Sequence, residues 1–280
     1  MRQPWRGAPL ALLFKVFLSK PLYAGPFQLP DDAAMRTLSP LFWPARPRIN
    51  KTISLYSLPV RFYVGQLALL TALGVLFTWL SRTETLDRWL TQMWFDAAAG
   101  NFPWQDNYWL DLLNHRLAKY CAIAVAVGSL LYGVIRRHPR WIMVAVLMGL
   151  GAAVVGILKA TSHHSCPWDL VEYGGKALSY PLFGAVPDGS GPGRCFPGGH
   201  ASSGFMVMGL WFGLRREHPG YARLALAAGI ALGLAMGFGQ VMRGAHFFTH
   251  NLWAGWWVWL TQVVTWGVTT TLMNKEPATL

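Results

Sequence analysis

Six apolar stretches separated by short polar connections constrain this chain more than any other feature. They cover residues 62–80, 119–135, 141–158, 201–214, 221–242 and 247–273. A hydrocarbon core about 30 Å thick takes roughly 20 apolar residues per helix, and in lipid only helices or closed barrels satisfy every backbone amide. The fourth stretch is short and follows Pro197, Gly198 and Gly199, so its outer end is expected to be recessed. The sixth is longer than a crossing needs and can tilt. Only 13% of the 280 residues are charged and 53% are apolar, against about 25% charged in soluble domains, which argues against a disordered chain or a soluble two-domain enzyme. The expected fold is an all-α integral membrane protein of six transmembrane helices with short interfacial helices. Residues 1–58 are read as a cytoplasmic and interfacial N-terminal region, and 59–275 as the membrane domain.

The formal charge is +12, but the basic residues fall in short bursts between apolar runs rather than along one face. This is the pattern of cytoplasmic helix ends and not of a nucleic-acid surface. The N-terminal region, the connections around residues 136–140 and 215–223, and the tail together hold sixteen Lys and Arg against four acids; the opposite side holds eight of each. The positive-inside bias therefore places both termini in the cytoplasm. The run at residues 10–18 contains Lys15, lacks a small-residue cleavage site and is flanked by Pro9 and Pro21, so it reads as a helix lying on the membrane and not as a removable signal. On the other side, Leu86, Trp89, Leu90, Met93 and Trp94, and then Trp109, Leu110, Leu113 and Leu117, recur at helical spacing. They predict two short surface helices joined by residues 100–106.

This topology gathers the unusual polar residues at one membrane face. Lys159 ends the third stretch, His200 opens the fourth, and Arg243 and His246 lie between the fifth and sixth. Ionisable groups beside lipid are costly and point to function. Cations with backbone amides at a helix start form a phosphate cradle. Two histidines beside it supply a nucleophile and a general acid.

The stretches KATSHHSCP (159–167), FPGGHAS (196–202) and QVMRGAHFFTH (240–250) resemble, in order, spacing and sidedness, the three signatures of the type 2 phosphatidic-acid phosphatase superfamily. That pattern is Lys, six residues, Arg-Pro; Pro-Ser-Gly-His; and Ser-Arg, five residues, His, three residues, Asp. The resemblance implies a phosphatase or phosphotransferase that needs no metal or other cofactor. His246 would be the nucleophile, His200 the proton donor and Lys159 a phosphate ligand. It also implies a phosphorylated membrane lipid as substrate and partner; with the charge bias, the expected location is a bacterial inner membrane with the site on the periplasmic side. Four positions depart from the pattern. Cys166 replaces an arginine, Gly198 the serine, Gln240 the second arginine, and His250 the aspartate that orients the nucleophile. Arg243 and Arg194 are the candidate replacement cations, and Gly198 and Gly199 offer backbone amides. His250 and Asn251 are candidate orienting groups, with Asp169, Glu172 and Asp188 as carboxylates that swing in.

Cys166 and Cys195 both fall on the outer side, where disulfides persist. A bridge between them would tie the first signature to the second; two free thiols are the alternative. Cys121, in the second stretch, reads as packing. Two functions from other classes fit the same residues. One is a metal-dependent hydrolase built on His246 and His250, four apart, with His163, His164 or Cys166. The other is a non-catalytic binder or transporter of anionic lipid. His115, His138 and His218 stand outside the cluster.

Overall fold

The computed structural model describes residues 55–273; the helix expected at 10–18 and most of the region assigned to 1–58 lie outside them. Most of the described residues are helical, with two isolated β-bridges, Asp96 to Asn101 and Leu170 to Ala177. Four helices are long and apolar enough to cross a membrane: α1 (Val60–Thr83), α3 (Tyr108–Ile135), α4 (Pro139–Thr161) and α7 (Pro219–Met242). Between the first two lies the short α2 (Thr85–Gln92). The fourth apolar stretch becomes α5 (Gly199–Phe205), a tight 3-10 turn (Met206–Gly209) and α6 (Leu210–Leu214). The last helix is α8 (Phe248–Met273). Both α4 and α7 begin at a His-Pro step; proline at the first helical position fixes φ where no amide partner is needed.

The helix α8 has the length of a crossing, but Thr249, His250, Asn251 and Gln262 interrupt its apolar run, and all four are buried. It packs against α1, α4, α5 and α7. Val258 and Trp266 are fully buried in clusters with Val155, Phe205, Leu147 and Phe212. Three of its tryptophans are joints and not a headgroup belt: Trp253, Trp256 and Trp259 donate to Ser81 Oγ, the Leu70 carbonyl and Gln66 Oε1 of α1. Where the α5–α6 segment tightens, Gln262 Nε2 donates to the Met206 carbonyl at 2.9 Å. A side chain thus satisfies a backbone group at an irregular turn, as an apolar environment requires.

One expectation is corrected. Residues 109–117 are not a separate surface helix but the opening turns of α3, continuous to Ile135. Within them, Asp111–Leu117 is π-helical. The wider turn changes which side chains face the bundle, and such insertions recur at functional sites.

The helices α5 and α7 approach at glycines. A Cβ on Gly204 would stand 2.5 Å from the Gly233 amide nitrogen and 2.6 Å from its Cα. Because the obstacle is backbone, no rotamer relieves it. Gly204→Ala is expected to cost about 1–3 kcal/mol of stability, read as a lowered unfolding midpoint in detergent; an unchanged midpoint contradicts this close approach.

Candidate functional site

The corner between α7 and α8, residues 243–247, carries His246. The helix α7 ends where Gly244 enters the left-handed region at φ +69°. The amides of Gly244 and Ala245 donate back to the Val241 and Gln240 carbonyls, each at 2.9 Å. A Cβ at 244 would also collide with the Phe102 ring, so both conformation and space call for glycine. The Trp168 amide donates to the Gly244 carbonyl at 3.0 Å and docks the 166–169 turn on the corner.

From α2, Asp87 pins the start of α8. Its carboxylate accepts from the Thr249 amide at 2.9 Å and the Thr249 hydroxyl at 2.5 Å, satisfying a first-turn donor beside the positive end of the helix dipole. Burial pushes the Asp87 carboxyl up to about 6. On the opposite side, the Gly198 amide donates to the His250 carbonyl at 2.8 Å and the Cys195 amide to the His164 carbonyl at 2.9 Å. These bonds seat the segment that leads into α5.

Cys166 and Cys195 are joined by a disulfide. Its Cys195 Sγ lies 3.2 Å from His246 Nδ1 and 3.0 Å from the Ala245 carbonyl oxygen. A disulfide sulfur has no hydrogen to give, so where this contact is a hydrogen bond Nδ1–H is its donor and Nε2 keeps its lone pair. His246 is 2% exposed, and burial, then the charge of Lys159, holds its pKa well below the ordinary histidine value. Ligand atoms of Cys166, Cys195 and His246 fall within 4.8 Å of one another; with the two sulfurs bonded together, neither is the thiolate that binds a metal.

His200 stands in the first turn of α5, its ring 6.4 Å from that of His246. Lys159, in the last turn of α4, reaches the same place: a Cβ on Gly199 would lie 3.3 Å from Lys159 Cδ and 3.6 Å from Nζ. Among the described residues Lys159 makes no ion pair. Arg243 is steered by Nε donating to the Gln105 carbonyl at 2.9 Å and by Nη1 at 3.4 Å from Asp111 Oδ1.

Other candidates are placed differently. Asn251 does not orient His246: its Nδ2 donates to the Gly237 and Phe247 carbonyls at 3.2 and 3.1 Å. A Cβ at Gly198 would run into Asn251 Oδ1, so the missing serine and this asparagine are one adjustment: Asn251 fills the room a serine would use. His250 is buried with its ring against Phe196 and Phe247. It faces a cleft that Glu84, Asp87, Arg88, His164 and Tyr180 also line. Arg194 is exposed, and its backbone amide, bonded to the Ser162 carbonyl, is what holds it. None of the three carboxylates is an orienting group: Asp169 caps its own turn through the Cys166 amide, Glu172 pairs with Arg88, and Asp188 is exposed. Residues passed over in the sequence also reach the site. His115 packs on His200 with ring centres 4.1 Å apart, and Asn114 Oδ1 lies 3.5 Å from Gln240 Nε2. The Asp111/His115 spacing of four on one helix is the signal that could have found them; assigning residues 109–117 to a surface helix hid it.

The family model described as PAP2 superfamily matches residues 140–274. No curated protein and no solved structure matches the chain.

Because the folded Asp87 carboxyl titrates near 6 and the free one near 3.8, the folded state holds the extra proton between those values. Stability on this account falls as pH rises from 4 to 6, by about 3 kcal/mol at most. Asp87→Asn is expected to lack that slope in unfolding measured at several pH values. A slope equal to that of the wild type contradicts the assignment.

Proposed function

Given that the chain belongs to the PAP2 superfamily over residues 140–274, a family of phosphatases and phosphotransferases, we propose that it removes or transfers the phosphate of a membrane lipid through a phosphohistidine on His246. The observation that carries this reading is the approach of His246, His200 and Lys159, from the starts of α8 and α5 and the end of α4: the two imidazole rings lie 6.4 Å apart and the Lys159 amine reaches Gly199 beside His200. Nε2 of His246 attacks phosphorus as the bond to the lipid oxygen breaks, and His200 gives that oxygen its proton. Water or an acceptor alcohol then attacks the phosphohistidine, its proton passing to His200, and the nitrogen–phosphorus bond breaks. Lys159, Arg243 and the Gly198–Gly199 backbone offset the charge on the transferring group, which is where phosphoryl transfer gains most. The cysteine at 195 supports the reading, since its sulfur favours the tautomer that frees Nε2. Arg194 we assign to approaching headgroups.

We assign the chain six crossings, counting the α5–α6 segment and α8 with the four long helices. Residues 59–275 are assigned to the membrane unit and 1–58 to the cytoplasmic side. Both termini are cytoplasmic, and the site opens to the periplasm of a bacterial inner membrane. Charge asymmetry supports this orientation, as does a disulfide on the site's own side. Lipid A phosphates, polyprenyl diphosphate, phosphatidylglycerol phosphate and phosphatidic acid all fit the chemistry; an outward site favours the first two.

The test is phosphate release by purified protein from those four lipids, in excess chelator. Turnover of at least one is expected, with His246→Ala lowering it about 10³-fold or more and His200→Ala about 10²–10⁴-fold. Release lost to chelator favours the metal-dependent alternative, and no release from any lipid favours a binder. Because burial lowers the His246 pKa, the neutral nucleophile persists into acid. The acid limb of kcat/KM is therefore expected below pH 6.5, and a limb at or above it contradicts His246 as the attacking base.

A further inference from the structure

The π-helical opening of α3 lies outside the family-matched region, yet it projects a carboxylate–imidazole pair into the site. Asp111 Oδ1 lies 2.7 Å from His115 Nδ1, and Oδ2 accepts from Arg116 Nε at 2.7 Å. The same Oδ1 lies 3.4 Å from Arg243 Nη1. A carboxylate accepts, so His115 Nδ1 carries the proton, and Nε2 is the ring nitrogen left for another partner. The next ring is that of His200, edge to face, with ring centres 4.1 Å apart. Among the described residues, His200 Nδ1 is buried without a hydrogen-bond partner. An unpaired buried ring nitrogen costs free energy comparable to a lost hydrogen bond, and beside a second imidazole it is an acceptor in waiting.

We propose that Asp111 and His115 form a proton relay that positions and reloads His200; the proposal rests on the phosphohistidine reading above. With the His115 ring turned so that Nε2–H donates to His200 Nδ1, His200 is fixed as the tautomer with hydrogen on Nε2, the form that gives a proton to the leaving oxygen. When that proton leaves, the His115 Nε2–H bond breaks, its electron pair stays on Nε2, and a new N–H bond forms at His200 Nδ1. In this step His115 enters with hydrogen on both ring nitrogens and leaves with hydrogen on Nδ1 alone, still on the Asp111 carboxylate. The geometry follows the orienting logic of a carboxylate–histidine pair, applied here to the proton donor and not to the nucleophile. His115 and Asp111 are thus positioning residues. By the same carboxylate oxygen, Asp111 also aims Arg243, which ties phosphate binding to proton delivery.

Proton donation matters most when the leaving oxygen is a poor leaving group. Alkyl lipid phosphates need it, whereas nitrophenolate departs with little help. The experiment compares kcat/KM of wild type, His115→Ala, His115→Gln and His200→Ala on p-nitrophenyl phosphate and on whichever alkyl lipid phosphate the wild type turns over fastest. His115→Ala is expected to lose about 10-fold or more beyond its nitrophenyl loss on the alkyl substrate, in kcat more than in KM. His200→Ala should show the same asymmetry. His115→Gln, which keeps a donor but relays no proton, should recover little of it. Equal losses on both substrates, as a packing defect gives, or no loss, overturn the proposal. A wild type that turns over neither substrate instead overturns the phosphatase reading itself.

Discussion

The Asp87 carboxylate, buried under α2, accepts both the amide and the hydroxyl of Thr249, and this junction fixes where α8 begins. The helix α8 is the bundle's axis, packing against α1, α4, α5 and α7, so its start sets the height of His246 relative to every other helix end. The corner before it is held from a second side by the disulfide sulfur and from a third by the Trp168 amide on the Gly244 carbonyl. A side chain held by that many short-range contacts loses little further freedom when substrate arrives, and positioning of this kind is a large part of what phosphoryl transfer asks of a protein.

The departures from the family's signatures read as linked adjustments rather than separate losses. Gly198 makes room for Asn251, which stitches α8 to the Gly237 carbonyl of α7. Cys166 gives up an arginine's charge but joins Cys195, whose sulfur stands at the His246 nitrogen that the family's aspartate would address. Gln240 is neutral and buried, and it meets Asn114 of α3 while Arg243, three residues on, meets Asp111 of the same helix. Two of the four changes thus route the site's support through the 166–195 loop and the opening of α3.

The long helices were legible from hydropathy because lipid demands length and apolarity, and those leave a plain trace in residues 60–83, 139–161 and 219–242. The gathering of Lys159, His200 and His246 was legible because each stands at an end of an apolar stretch, and the helices that form there bring those ends together. What stayed hidden was local. A π-helical turn at Asp111–Leu117 has no composition signal, so residues that pointed at a surface on α-helical counting instead point at the site. Nor does sequence tell which of several nearby groups a histidine nitrogen meets. His250, four residues on, was the obvious orienting partner for His246, and instead it turns its ring to Phe196 and Phe247. A sulfur 51 residues away lies at the nitrogen.

The central claim is that His246 becomes covalently phosphorylated. Mixing the enzyme with a lipid phosphate that it turns over, quenching in alkali within the first turnover and mapping the peptides by mass spectrometry tests it directly. A phosphoryl group of about 80 Da is expected on the peptide containing His246, stable to base, lost in acid, and absent from His246→Ala. Phosphate found on another residue, or steady turnover with no phosphoprotein at any quench time, would contradict it.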